Sequence, residues 1–348
     1  MNTLLFFNDR NLFLRDGFAR RYGKVEALRD CAYSDGLNFA GSFPQVFKKG
    51  DMYYMIYAGL DPDAKEGERN RCFLMAESRD GLHFTPCSEA SKRSGLASAK
   101  YSHEFLERVT AEIGDLVVDE DAPPEERYRL LMCSYEGDEK RLIDDYVLTS
   151  GDGFRYERKL DSIWNTVGAE PGAGVFKRVA EKDYVITMRP DGGNRKICLT
   201  STKDFVHYER PRLIMEAEGD EEALAELYGM PVTVYGDYYI GLLWVYSATS
   251  VRERKYLGGK LLTQLAFSFT GDAFQRCLKE PFITPGHEGS EDAGMVFATD
   301  CYRDANGELT VMAAVCSYEH GHFTSSEGCH LMPYRLREDG FVCMHAEG

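Results

Sequence analysis

The residues with most chemical potential are acids that stand at the head of apolar, strand-like runs. They are Asp115 (with Glu112 just before it), Glu170, Glu226 and Asp292 (with Glu291). If those runs converge, two or three carboxylates share one pocket. Such a set suits cleavage of a glycosidic bond: a carboxyl of raised pKa protonates the leaving oxygen, and an ionised one activates water or attacks the anomeric carbon. Glu226 is the best candidate for proton donor, because Gly229 and a short loop follow it and leave room for a ligand. Asp292 or Asp115 is then base or nucleophile, and Glu170 orients the transition state. Arg189, Trp244, Tyr246, His103 and His320 are candidates to hold sugar through hydrogen bonds and ring stacking. Capping a turn or pairing with an arginine accounts for any single acid equally well. The first run offers Ser42 and Gln45 but no acid, and Asp9 and Asp30 are the nearby substitutes.

Strands must position these groups. The stretch from Glu226 to Tyr246 reads as two antiparallel strands, Met230–Tyr235 and Tyr238–Tyr246, joined by the turn Gly236-Asp237. Aromatic and β-branched residues fill both runs, and Gly-Asp is a hairpin signal. A short phrase recurs as Ser78-Arg-Asp-Gly-Leu-His-Phe84, Ser150-Gly-Asp-Gly-Phe-Arg-Tyr156, Ser201-Thr-Lys-Asp-Phe-Val-His-Tyr208 and Ser268-Phe-Thr-Gly-Asp-Ala-Phe274, with Leu336-Arg-Glu-Asp-Gly-Phe341 a fifth, weaker copy. It is a tight turn: Asp caps the backbone, Gly or its neighbour takes positive φ, and an aromatic ring covers the turn. The copies lie about 50 to 70 residues apart, the scale of a four-stranded propeller blade.

Hairpins precede each copy. They run over 43–47 and 52–58, then 116–118 and 128–134, then 174–177 and 183–189, then the stretch from Glu226, and finally 294–298 and 309–317. The leftover run Thr3–Phe7 is expected to complete the fifth unit and close a ring. Helical periodicity is scarce: Glu221–Leu227 reads as one acidic turn and Ser102–Val109 as a short helix in an insertion, while Lys65–Asn70, Ala90–Lys100 and Ser250–Gly259 read as loops. The expectation is an all-β chain, one five-bladed β-propeller of four-stranded antiparallel blades over residues 1–348. Its acidic strand heads would gather at a central funnel.

Charge narrows the partner. There are 57 acidic against 41 basic residues, a net charge of −16, which argues against nucleic acid and anionic membranes. A neutral or cationic ligand, or solubility alone, agrees with it. Ten cysteines without a C-x-x-C pair, several in apolar runs, read as reduced thiols. The N-terminal apolar run is too short for a signal peptide, and none reaches membrane-spanning length, so a cytoplasmic location is expected. Glu319-His-Gly-His322 with Cys329-His330 matches no zinc spacing; His320 and His322 are expected to line the mouth of the fifth unit. The glycine pairs at Gly151-Asp-Gly153 and Asp191-Gly-Gly-Asn194 are turns, and no G-x-S-x-G elbow occurs. No metal and no cofactor is expected.

The acid-led strand–turn–strand unit resembles the five-bladed propeller glycosidases of glycoside hydrolase families 32 and 43, and more closely a bacterial group similar to family 32. The marks are Phe6-Phe-Asn-Asp-Arg10, Asp121-Ala-Pro-Pro-Glu-Glu-Arg-Tyr128, Ser201–Tyr208, Glu226-Leu-Tyr-Gly-Met-Pro231, Gln264-Leu-Ala-Phe-Ser268, Pro281-Phe-Ile283 and Gly289-Ser-Glu-Asp-Ala-Gly-Met295. The resemblance implies that Glu226 holds a general-acid position and that Glu170 stands where a blade-leading acid is often Asp. It also implies a carbohydrate substrate and a catalytic propeller without the C-terminal β-sandwich of many relatives. One departure is plain: the first-blade Asp that serves as nucleophile or base has no match in Gly41-Ser-Phe-Pro-Gln45. Two rivals to hydrolysis follow. In a glycoside phosphorylase, phosphate replaces the missing base, and a cluster of Arg189, Arg195 and His320 would support it. The other rival is a non-catalytic carbohydrate-binding propeller.

Overall fold

A computed structural model describes residues 5–9, 12, 16–60, 71–88, 110–136, 141–142, 146–163, 169–190, 195–218, 224–252, 255–321 and 326–346. The chain is all-β and its main sheets are antiparallel. The first sheet runs Gln45–Lys49, Met52–Leu60, Arg71–Ser78, Thr85–Pro86. The second runs Thr110–Val118, Tyr128–Glu136, Tyr146–Ser150, Glu157–Ile163, and the third Ala169–Lys177, Tyr184–Pro190, Ile197–Thr202, Arg212–Met215. Phe18–Arg21 pairs with Cys343–Ala346 and Ser250–Arg252 with Lys255–Leu257 as two separate ribbons, and nine other strands form one sheet. Its first half is Ala225–Gly229 with Val232–Tyr235, then Tyr238–Ser247, Lys260–Ser268 and Gln275–Arg276. Its second half is Met295–Arg303, Leu309–Cys316, Cys329–Leu336 and Glu26–Ala27. A single parallel bridge, Leu261 to Met295, joins the halves.

The sequence units thus reappear, with several corrections. The N-terminal segment does add the outer strand of the last half-sheet, but through Glu26–Ala27 against Tyr334–Arg335, not Thr3–Phe7. Phe7 instead stacks on Phe267 at 4.7 Å and joins the apolar cluster under Tyr238. Glu226 does not precede its strand or sit in a helical turn; it lies inside the strand Ala225–Gly229. Pro231 lacks an N–H to offer the ladder, so the predicted strand from Met230 is split around Met230-Pro231 and resumes at Val232. Ser250–Arg252 pairs with Lys255–Leu257 where a loop was expected. The stretches 65–70 and 90–100 and the proposed helix 102–109 lie outside the described residues. Among the described residues no helix is long and apolar enough to cross a membrane.

The repeated phrase forms the same turn three times. Asp80 Oδ1 accepts from the Leu82 and His83 amides, each at 2.8 Å, and Asp152 Oδ1 does the same for Phe154 and Arg155. In the third copy Asp204 caps Val206 and His207, and Phe205 takes the left-handed position (φ 57°) that Gly81 and Gly153 fill elsewhere. That strain is held because the Phe205 ring is fully buried against Tyr184, at 4.5 Å.

Neighbouring sheets are tied by polar bonds as well as apolar packing. The Val46 amide donates to Asp300 Oδ2 at 2.8 Å, and Thr299 Oγ1 donates to the Pro44 carbonyl at 2.5 Å, linking the last half-sheet to the first sheet. The Val175 amide donates to Asp115 Oδ2 at 2.6 Å, linking the second sheet to the third. Thr187 Oγ1 donates to the Met230 carbonyl at 2.5 Å, and Trp244 Nε1 to the Ala298 carbonyl at 2.6 Å. Between the first and second sheets Phe47, Ile56 and Met75 meet Tyr128, Leu130 and Met132, and Lys49 Nζ donates to the Asp152 carbonyl at 2.8 Å.

Candidate functional site

Period-two alternation builds one side-chain cluster at the edge of the fourth unit. Glu226 pairs with Tyr246 across the strands, so Glu226, Tyr228 and Tyr246 share a face while Leu227 and Val245 turn into the core. The third sheet meets that face with two arginines. Arg189 comes from the end of Tyr184–Pro190 and is 2% exposed; it donates to the Tyr228 carbonyl at 3.1 Å and lies 4.3 Å over the Tyr228 ring. Arg195 lies 5.0 Å from the same ring and 5.6 Å from Tyr246, and is ion-paired with Glu226. His320 completes the group: its Nε2 is 3.1 Å from the Tyr228 hydroxyl, and its ring is 4.4 Å from that of Tyr246.

Each member is held by its surroundings. The Arg195 amide also donates to Glu226 Oε1 at 3.3 Å, so Arg195 makes both contacts to a carboxylate that is 1% exposed. The Tyr246 hydroxyl donates to the Gly258 carbonyl at 2.6 Å, and the His320 amide to the Gly259 carbonyl at 3.0 Å. The Glu319 carboxylate accepts from the Gly259 amide at 2.7 Å, which anchors the backbone that carries His320. Burial, above all, pushes the Tyr246 phenol up to about 12 against the pull of Arg195, so it remains a neutral donor near neutral pH.

The structure therefore gathers Glu226, Arg189, Arg195, Tyr246 and His320, and adds Tyr228. Glu170 stands in register opposite Arg189, which places its backbone at the same strand end. The other candidates are elsewhere. Asp292 is engaged by Arg29 (2.8 and 3.1 Å), Ser290 (2.7 Å) and Tyr334 (3.2 Å), and shares no partner with Glu226. Trp244 is fully buried: its ring stacks on Phe43 at 4.9 Å and meets Phe297 edge-on, so no face is open to a sugar. Asp9, weighed as a substitute acid for the first unit, is ion-paired with Arg20. His103 and His322 lie outside the described residues.

Asp115 belongs to a different pair. It sits beside a bulge between Ile113 and Leu116, and both its oxygens accept backbone amides, from Leu116 and Val175. Asp300 repeats the device beside a bulge between Ala298 and Asp300, accepting from Cys301 and Val46. Burial, helped by the Asp300 charge, pushes the Asp115 carboxyl well above the usual carboxylate range. Burial likewise pushes Asp300 up to about 6, against the two amides. Tyr228 and Asp300 escaped the sequence reading. Tyr228 was available as the residue two beyond Glu226, and Asp300 as an acid inside an otherwise apolar strand. Among the described residues no group of three or more His, Cys, Asp or Glu is placed to hold a metal.

No family model matches the sequence, and no curated protein matches it. Solved structures share its fold. A β-1,2-mannobiose phosphorylase from Listeria innocua superposes with TM-score 0.60 at 14% identity, over 90% of this chain and 97% of that one. A glycosyl hydrolase from Bacteroides ovatus gives 0.55 at 12% identity, over 91% and 94%. An N-acetylgalactosamine deacetylase from F. plautii gives 0.56 at 12% identity, over 93% and 95%.

Proposed function

We propose that the protein is a glycoside-acting enzyme that breaks the glycosidic bond of a small oligosaccharide by phosphorolysis. Its scaffold is a single five-bladed propeller. The observation that carries the reading is the meeting of Arg189, Arg195 and His320 around Tyr228. Hydrolysis needs an acid and a base, whereas phosphorolysis needs an acid and a site for an anion. Paired arginines are suited to holding phosphate oxygens, and a histidine supplies a further donor. The head of the first sheet, where a base would stand, carries Phe43 against Trp244, and the Asp35 carboxylate beside it is taken by the Tyr57 hydroxyl at 2.5 Å.

The step balances simply. A phosphate oxygen attacks the anomeric carbon, the bond to the leaving oxygen breaks, and that oxygen takes a proton from a carboxyl group. Glu170, in register with Arg189, is the proposed proton donor. Glu226 acts through Arg195, as a positioning residue. The Tyr246 phenol, fully buried and donating to the Gly258 carbonyl, braces the cluster and does not meet the sugar itself. The cyclic chain of inter-sheet contacts supports the propeller: first to second, second to third, third to fourth, fourth to fifth and fifth to first. The fold shared with the mannobiose phosphorylase agrees with this chemistry, while the deacetylase on the same fold is a reason to test it directly.

A panel of disaccharides, including β-1,2-mannobiose, incubated with and without inorganic phosphate tests the reading. A sugar 1-phosphate formed only with phosphate, seen by phosphorus NMR, supports it. Monosaccharide release at the same rate without phosphate overturns it in favour of hydrolysis, the reading that Glu226 in the same cluster favours. Sugar binding without turnover in either buffer would leave a binding propeller.

A further inference from the structure

A second constellation lies apart from the arginine cluster, at the first repeated turn. His83 Nδ1 is 2.7 Å from Asp80 Oδ2, and His83 Nε2 is 3.4 Å from the Cys31 sulfur. A carboxylate bonded to Nδ1 keeps a proton on that nitrogen and leaves Nε2 as the acceptor, so the thiol proton has a place to go. These are the parts of an activated nucleophile: a thiol, a base within reach, and a group that orients the base.

Each part is fixed by structure already described. Asp80 Oδ1 is used by the turn, through the Leu82 and His83 amides and the Ser78 hydroxyl, which leaves Oδ2 for the imidazole. Burial opposes the Asp80 charge, yet the His83 ring and these donors overcome it and hold the carboxyl below its usual range. Cys31 ends the 3-10 turn Arg29–Cys31, which Asp292 and Glu291 anchor through Arg29. The thiol is partly exposed and His83 is 64% exposed, so a reagent reaches both.

The molecule carries its own comparisons. His207 and Asp204 repeat the pair at 2.8 Å in the third turn, with no thiol on the ring. Cys343 lies 3.3 Å from His345 Nε2, with no carboxylate bonded to that imidazole. Only at Cys31, among the described residues, do all three meet.

We propose that Cys31, His83 and Asp80 form a nucleophilic thiol site that takes soft carbon electrophiles. The S–H proton passes to His83 Nε2 as the sulfur lone pair forms the S–C bond. The leaving group departs with its bonding electrons, and the imidazolium then releases the proton to solvent. Burial foremost, then Asp80 and Asp30, push the Cys31 thiol up, so the standing thiolate population is small and reaction depends on His83 at the moment of attack.

Iodoacetamide is the probe. The intact chain is alkylated across about pH 5 to 9, and the rate at each cysteine is read by peptide mass spectrometry. The expected result is that near neutral pH Cys31 reacts at least about tenfold faster than Cys343, with a rate that begins to rise at lower pH than that of Cys343. His83→Gln, at a side chain that is 64% exposed, should remove that advantage and move the rise to the range of an ordinary thiol. Asp80→Asn should reduce it in part. Equal rates at Cys31 and Cys343, or an unchanged Cys31 rate in His83→Gln, would overturn the proposal.

Discussion

At the scale of single residues, partners decide roles. Glu226 looks like a free acid in the sequence, yet in the fold its carboxylate is occupied by Arg195. Replacing Arg189 by Ala should therefore raise the KM for phosphate by more than about tenfold while leaving sugar binding nearly intact, since a charge-assisted bond to an anion contributes about 1.5–3 kcal/mol. Steady-state kinetics at varied phosphate would show it, and an unchanged KM would count against the anion site. Asp300 gives a stability test. Its carboxyl is pushed from 3.8 up to about 6 by burial, so the folded chain keeps a proton that the unfolded chain releases. Stability must then fall as pH rises from about 4 to about 6, by at most about 3 kcal/mol, and level off above. Asp300→Asn should flatten that slope in melting curves.

At the scale of elements, the predictions concern joints between sheets. Gly174 sits where the third sheet abuts the fourth: a Cβ there would lie 2.8 Å from the Met230 carbonyl and 2.8 Å from Pro231 Cα. Both are backbone atoms that cannot swing aside. Gly174→Ala should cost about 2 kcal/mol, measured by chemical denaturation, and a neutral result would show that the joint is looser than described. Asp292 ties the 3-10 turn to the fifth unit. Burial works against its charge, but Arg29, with the Ser290 and Tyr334 hydroxyls, holds the carboxyl below its ordinary range. That contribution is present above the usual carboxylate pKa of about 3.9 and is lost as pH falls below it. Asp292→Asn should cost about 2 kcal/mol at neutral pH, less than a fully enclosed pair, because the Arg29 side chain is 36% exposed. The difference from the parent should shrink in acid.

At the scale of the whole molecule, a chain of net charge −16 still brings Arg189 and Arg195 together over one ring, Tyr228. If phosphate binds there, it should stabilise the folded chain by about 2.7 kcal/mol at a hundredfold excess over its Kd, seen as a melting temperature that keeps rising with the logarithm of its concentration, and sulfate should partly substitute. Absence of any shift in the parent, with a shift in Arg189→Ala, would contradict the assignment. The all-β, hairpin-built chain was legible beforehand. The alternation of aromatic and β-branched residues marks each hairpin, because strand side chains repeat every second residue, and the Asp-Gly phrase marks each turn, because few residues tolerate its backbone. Trp244 shows the limit: rarity made it look like a platform, and only packing against Phe43 and Phe297 made it core.

The amino-acid order alone determined the local elements of this protein: strands, hairpins and the recurring turn. Those features depend on neighbours a few residues away. Which carboxylate meets which arginine was decided only when separate sheets came together. Arg195 reaches Glu226 and Tyr228 across a sheet boundary, Arg29 reaches Asp292 from the far end of the chain, and His83 reaches Cys31 across 52 positions. Contacts of that separation leave no periodic trace in a sequence, because their geometry belongs to the assembled sheets.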